Sequence, residues 1–434
     1  MSVFAKASAS RSVRTLVTGV ALIGVSALLL TGCSNGAATA PSESAAPAAG
    51  TAADFKTVEA GDRDLSLKIG TILPQSGGLA FLGPPEEAGV QLAVNDINKA
   101  GLGINVEAIF RDSGDTTTDT ATVSVTDLLS QDVTAIVGAA SSGVSKTVID
   151  QITGAGVVQF SPANTSDAFT TYADNGLYWR TAPSDVLQGE VLGNLIAEDG
   201  NATLGLIVLN DAYGTGLAKY VGDAFTAGGG EVVATALFNE GDPNFTAQIA
   251  EVTAQDPDAI ALITFDQAKV IVPDLVATGF PGDKLYFVDG NVSDYSADFA
   301  PGLIKGAQGT LPGLDTASLG DFTSRLLEIT PTLTDFSYAA ESYDAVVLIA
   351  LAAYAGNDVS GKSIASYLRQ VSGGTGDGTT VTDFKAAAAA LKAGEQVNYD
   401  GFSGPITFDE NGDPTGATIG IYKFDAENKY ARTN

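Results

Sequence analysis

The chain has 434 residues, 45% of them hydrophobic, enough for two domains around large buried cores. Its 51 acidic and 22 basic residues give a net charge of −29, a surface that repels phosphate backbones and anionic headgroups, so nucleic acid is not an expected partner. There is no histidine and Cys33 is the sole cysteine, which removes His-dependent triads, thiolate metal clusters and an intramolecular disulfide; no cofactor and no metal are expected. Acidic residues are plentiful, so a carboxylate-pair hydrolase stays open as a rival, although enzyme chemistry is disfavoured.

In chain order, Lys6, Arg11 and Arg14 precede the apolar run Leu16–Leu30, the pattern of an export signal and short for a membrane span. The run ends Leu30-Thr31-Gly32-Cys33, which resembles the bacterial lipoprotein lipobox. That resemblance implies cleavage before Cys33, lipid attachment to its thiol, and a place on the outer face of the cell membrane. The Ala-, Ser- and Pro-rich stretch that follows has few large apolar residues and reads as a flexible tether over 33–64.

From Leu67 strands and helices alternate. LKIGTILP (Leu67–Pro74) reads as a strand and Pro85–Ala100 as a helix, followed by strands at Ile104, Val133 and Val157. A second block has strands at Leu204–Asp211, Glu231–Phe238, Ala259–Phe265 and Lys284–Gly290. Continuous Val/Ile/Leu runs suit strands covered on both faces, and two such blocks predict an α/β protein of two doubly wound parallel-sheet lobes. The stretches after the strands (GAASSG, SPANTS, NDAYGTG, FDQ, DGNVSD) are rich in Ser, Thr, Asn and Asp. Helix capping explains each one singly; together at carboxyl-terminal strand ends they outline two polar rims and a cleft.

Gly356–Ser363 reads GNDVSGKS, a match to the phosphate-binding pattern G-x-x-x-x-G-K-[ST]. A working phosphate loop follows a buried strand. Here Tyr343, Val346, Val347, Ala350, Leu351 and Tyr354 form a helical stripe upstream, Gly356 reads as the residue just past that helix, and Ser360 as the N-cap of the next. Helix–loop–helix cannot cradle phosphates, so the match is taken as chance.

Seven segments in order (Lys68–Gly83, Ala93–Gly101, Ala135–Gly143, Phe160–Ser166, Asn210–Gly216, Tyr343–Ala352 and Phe402–Asp413) resemble the branched-chain amino acid binding proteins of ABC transporters. The resemblance implies the type I periplasmic-binding-protein fold, with three crossovers near Ala182–Ser184, Gly309–Gly313 and Phe408–Thr418. Lobe I would span 65–182 with 312–410 and lobe II 183–311 with 411–434, behind a signal peptide at 1–32. It further implies that Ser142 and Thr165, helped by backbone N–H groups near Ala140 and Ala163, hold a ligand carboxylate, and that Asp289 pairs with its ammonium. Donors at helix starts suit an anion, and a desolvated ammonium needs an opposite charge. Tyr213 matches a cleft tyrosine, Phe265 stands where the family often has tyrosine, and the aromatic after the first strand aligns with Phe81 or Leu82.

The expected function is therefore a lipid-anchored, monomeric solute-binding protein. It would deliver a small amino acid to an ABC permease and ATPase, and touch the membrane only through its anchor. Relatives with similar scaffolds take amides, urea or aromatic acids, and a ligand-sensing module is the other alternative.

Overall fold

The structure, a computed structural model, describes residues 56–315, 319–376 and 378–434. The export signal, the lipobox with Cys33 and most of the expected tether lie outside these residues.

The first sheet has five parallel strands: β1 (Leu65–Leu73), β2 (Ile104–Asp112), β3 (Ala135–Gly138), β4 (Val158–Ser161) and β5 (Tyr178–Arg180), in the order β2-β1-β3-β4-β5. Helices α1 (Gly83–Ala100), α2 (Thr120–Ser130) and α3 (Ser142–Gly154) connect them. The order reverses between β1 and β3, and an open parallel sheet leaves a crevice at such a point.

The second sheet follows α4 (Asp185–Glu198) and contains β6 (Thr203–Leu209), β7 (Glu231–Phe238), β8 (Ala259–Ile263), β9 (Leu285–Val288) and β10 (Gln308–Pro312), linked by α5 (Gly214–Ala227), α6 (Thr246–Thr253) and α7 (Ala268–Ala277). Its parallel part runs β10-β9-β8-β6-β7, so the reversal lies between β6 and β8. All five residues of β8 are fully buried, as a strand covered on both faces requires.

After β10 the chain returns to the first core with α8 (Gly320–Ile329), α9 (Ala339–Gly356), α10 (Gly361–Val371), β11 (Thr379–Val381), α11 (Phe384–Lys392), β12 (Val397–Gly401) and β13 (Gly404–Pro405). It then passes back to add β14 (Ile419–Phe424) and β15 (Tyr430–Arg432), both antiparallel, beyond β10. The chain thus moves between the two sheets three times. At the first passage the buried Arg180 forms a bidentate pair with Asp413 of the last, at 2.6 and 2.9 Å, tying two connections together.

Helix α9 is the centre of the first core, and every residue from Ala339 to Ala355 is buried. An apolar helix of this length would also suit a bilayer, yet 94% of it is enclosed by the protein. It approaches α1 so closely that a Cβ on Gly89 would stand 2.2 Å from the Ala339 carbonyl oxygen, which only glycine avoids. The stretch Gly356–Ser363 joins α9 to α10, with Ser360 capping α10 through the Ser363 N–H at 3.3 Å. The left-handed residue after α9 is Asn357 at φ 49°, with Gly356 still inside the helix; asparagine tolerates that conformation.

Three features depart from the expectations. The tether expected to reach residue 64 is docked from residue 56. Val58 is 4% exposed, and the Arg63 guanidinium donates to the carbonyls of Tyr354, Gly61 and Glu59 at 2.6–2.9 Å. One apolar anchor and one arginine that satisfies several carbonyls suffice to hold a stretch too polar to form a core. Strand β5 carries no apolar signal, because its three residues include the buried Arg180, and the small sheet β11-β12-β13 likewise lacks an apolar run.

Candidate binding cleft

The loops after β1, β3 and β4 meet the loops after β6, β8 and β9, and together with the start of α9 they enclose a cavity of about 20 Å³. Leu79, Leu82, Ala140, Ser141, Ser142, Ala163 and Thr165 line it from the first sheet, Tyr213, Phe265, Asp289 and Gly290 from the second, and Tyr338 from the N-cap of α9. The expected residues Ser142, Thr165, Asp289, Tyr213, Ala140, Ala163, Phe265 and Leu82 are therefore gathered around one space. Phe81 is not among them. It lines a separate groove of about 820 Å³, so Leu82 takes the place open to either residue.

Local chemistry sets each position. Ser141 caps α3 by accepting the Val144 N–H at 3.3 Å, which places Ser142 at the first helical turn. The Ser142 hydroxyl accepts the Ser166 N–H at 3.3 Å, so it also braces the loop that carries Thr165. The Thr165 carbonyl accepts the Asp185 N–H at 2.7 Å at the start of α4. One expectation needs correction: the Ala163 amide is engaged by Ser161 Oγ at 3.2 Å, because that serine hydroxyl closes the turn after β4 on itself.

Across the cavity, Tyr213 stacks on Phe265 with ring centroids 5.3 Å apart, and its hydroxyl has no hydrogen-bond partner among the described residues. Asp289 stands at φ 39° directly after β9. Asn291 holds this turn, accepting the Val288 N–H at 2.8 Å and donating to Leu262 O and Thr264 Oγ1 at 2.7 and 2.9 Å. Asp289 Oδ1 accepts a short hydrogen bond from the Tyr338 hydroxyl. Burial pushes the Asp289 carboxyl up to about 7, and the Tyr338 hydrogen bond only partly opposes this.

More carboxyls stand behind the lining. Glu86 and Asp185 are fully buried, and burial raises each well above the usual carboxylate range; both Glu86 oxygens are unpartnered among the described residues, while a hydrogen bond from the Thr165 side chain opposes the rise at Asp185. Glu341 is pushed up to about 8, again by burial first. No lysine or arginine is among the described residues that line the cavity. The lining thus carries one carboxylate, three aliphatic hydroxyls and two phenols in an apolar frame.

The two rims touch. Thr116 donates its N–H to Glu240 at 3.0 Å, Ser166 Oγ donates to the Ala212 carbonyl at 2.7 Å, and the Asp266 N–H donates to the Gly78 carbonyl at 3.3 Å. Two sheets whose strand-end loops close on a mostly apolar cavity holding one carboxylate have the arrangement of a capture site. The family model for periplasmic binding proteins matches residues 66–429. The chain belongs to the periplasmic binding protein family. This binding protein is 27% identical over 350 residues to the chemotactic signal transduction system substrate-binding protein BasB of Halobacterium salinarum, covering 78% of this chain and 82% of that one. It is 25% identical over 367 residues to the Leu/Ile/Val-binding protein BraC3 of Rhizobium johnstonii, covering 83% and 92%. Its fold matches the leucine-binding protein LivK of Thermotoga maritima with a TM-score of 0.70 at 21% identity, over 85% of this chain and 98% of that one. The fold is therefore the type I one, and the family is one of extracytoplasmic substrate-binding proteins rather than enzymes.

Leu79, Ser141, Gly290 and Tyr338 join the site without having been expected there. Leu79 lies within a segment already singled out and differs from its neighbours only in facing the cavity. Tyr338 has no sequence signal at all: it reads as the start of a core helix, and it reaches the site only through the position of α9 against the second sheet.

Proposed function

We propose that this binding protein is anchored outside the cell by lipid on Cys33, captures a small zwitterionic amino acid between its lobes, and delivers it to an ABC permease and ATPase. The ammonium would pair with Asp289, the carboxylate would meet the hydroxyls of Ser142 and Thr165, and the side chain would lie against Leu79, Leu82, Tyr213 and Phe265. Ala140 and Ala163 would contribute backbone surface. What carries the reading is the single carboxylate of Asp289, set across a 12-residue cavity from the hydroxyl residues Ser142 and Thr165, with no basic side chain among the lining residues. An anion without an ammonium would leave that buried carboxylate facing it unpaired, which is costly. The Leu/Ile/Val-binding and leucine-binding relatives support the amino-acid class.

Capture would proceed by hinge closure about the three interlobe passages, the ligand shifting the population toward the closed form. Lobe I would comprise 65–182 with 312–410, and lobe II 183–311 with 411–434. The protein would act as a monomer. Signalling is the second reading, favoured by the name of the Halobacterium relative.

A thermal-shift screen of the chain from Ser34 against amino acids, amides, urea, aromatic acids, sugars and ATP tests this. A ligand of the folded state at about a hundred times its dissociation constant adds roughly 2.7 kcal/mol. Shifts with one amino-acid class and none with ATP are expected; shifts with sugars or aromatic acids alone would overturn the reading.

A further inference from the structure

The geometry points to Tyr338 as a built-in competitor for the ammonium position, and so as the residue that decides which ligands displace it. This inference rests on reading Asp289 as the ammonium acceptor. Tyr338 immediately precedes α9, whose apolar residues pack in the first core, while its own ring packs with the side chains of the second. Its hydroxyl donates to Asp289 Oδ1 of the second sheet's rim, and no other hydrogen bond reaches that carboxylate among the described residues. The bond is therefore a clasp between the two halves of the cleft.

A carboxylate has lone pairs for several donors, so valence alone does not oblige the phenol to leave. Volume does. The cavity of about 20 Å³ holds no more than about one water, and an amino acid needs several times that space. Some lining group must move, and among the described residues Tyr338 is the one that lines both this cavity and the groove of about 820 Å³ beside it. Its ring has somewhere to go. Its backbone sits at φ 59°, an uncommon conformation for a bulky residue, at the point where the chain turns into α9.

Displacement sets a selection rule. A ligand that brings a cationic donor replaces the phenol hydroxyl at Asp289 and leaves the carboxylate paired. A ligand without one can dislodge Tyr338 only by leaving a buried carboxylate with no donor, which is unfavourable.

The test has two arms on the chain from Ser34. Small-angle scattering of the unliganded wild type, Tyr338→Phe, Asp289→Asn and the double variant asks whether the clasp holds the cleft closed. The expected result is a compact wild type, a larger radius of gyration in both single variants, and no further increase in the double. A wild type already as open as the variants, or single variants as compact as the wild type, would overturn the inference. The second arm titrates wild type and Tyr338→Phe with L-leucine and with 4-methylpentanoate, its analogue lacking the amine. Removing the hydroxyl should tighten leucine about tenfold, the worth of one hydrogen bond to a charged group, and the analogue by a similar factor, since both must break the clasp in the wild type, with leucine the tighter ligand in each protein. Weaker leucine binding in Tyr338→Phe would mean that the hydroxyl touches the ligand rather than competing with it, and would also overturn the inference. Should leucine bind neither protein, leucine is not the ligand, and the scattering arm alone decides the role of Tyr338.

Discussion

Acidification should weaken ligand capture, and the size of the loss follows from where Asp289 is placed. Burial among Leu79, Leu82, Phe265 and Tyr213 raises its carboxyl to about 7. Only the ionised form attracts an ammonium. The folded site therefore takes up a proton as pH falls through 7, and the ligand must expel it, so affinity rises with pH and levels off above 7. With a pKa near 7 the ionised fraction is about 90% at pH 8 and about 1% at pH 5, a loss of roughly a hundredfold in apparent affinity, or about 2.7 kcal/mol. The groups facing Asp289 are Tyr338, Tyr213, Glu341, Glu86 and Asp185, none of them cationic, so nothing nearby cancels the effect. The assay is isothermal titration calorimetry between pH 5 and 8, in buffers of different ionisation enthalpy, with the amino acid that the thermal-shift screen selects. Close to one proton released per ligand at pH 6 is expected. An affinity that stays flat across this range, with no proton release, would refute Asp289 as the ammonium partner.

Other variants probe the site and its frame. Asp289→Ala should raise the dissociation constant for an amine ligand by at least about a hundredfold while circular dichroism stays unchanged, since it removes the charge opposite a desolvated ammonium; unchanged affinity would sink the assignment. Gly89→Ala should destabilise the protein by about 1–3 kcal/mol in urea denaturation, because its methyl would press on the Ala339 carbonyl and force α1 from α9. Arg180→Ala should cost about 3–5 kcal/mol in the same assay by leaving Asp413 without its partner where two interlobe passages meet. A loss under about 1 kcal/mol would mean water readily replaces that pair.

Much of this protein is legible in the residues alone, for a local reason. Alternating strands and helices, and capping residues at strand ends, each depend on neighbours within a dozen positions. So does the nature of Gly356–Ser363, where the helical stripe ahead of the loop shows that no strand can present it to phosphates. The order of the segments carries the family, and with it the positions of Ser142, Thr165, Tyr213 and Asp289. What needed the tertiary structure were facts about direction and packing. Successive residues of a turn point different ways, so Leu82 faces the cavity while Phe81 faces the groove. The Ala163 amide is engaged by the Ser161 hydroxyl, a choice made by the geometry of one turn. Residues 56–64 are docked although their composition alone suggests a tether, because Arg63 finds the Tyr354 carbonyl near the end of α9, far along the chain. Tyr338 meets Asp289 across 49 positions of sequence, where the strand-end loops of the two sheets come together. No periodicity encodes such a meeting; it exists only once both cores have folded and their rims touch.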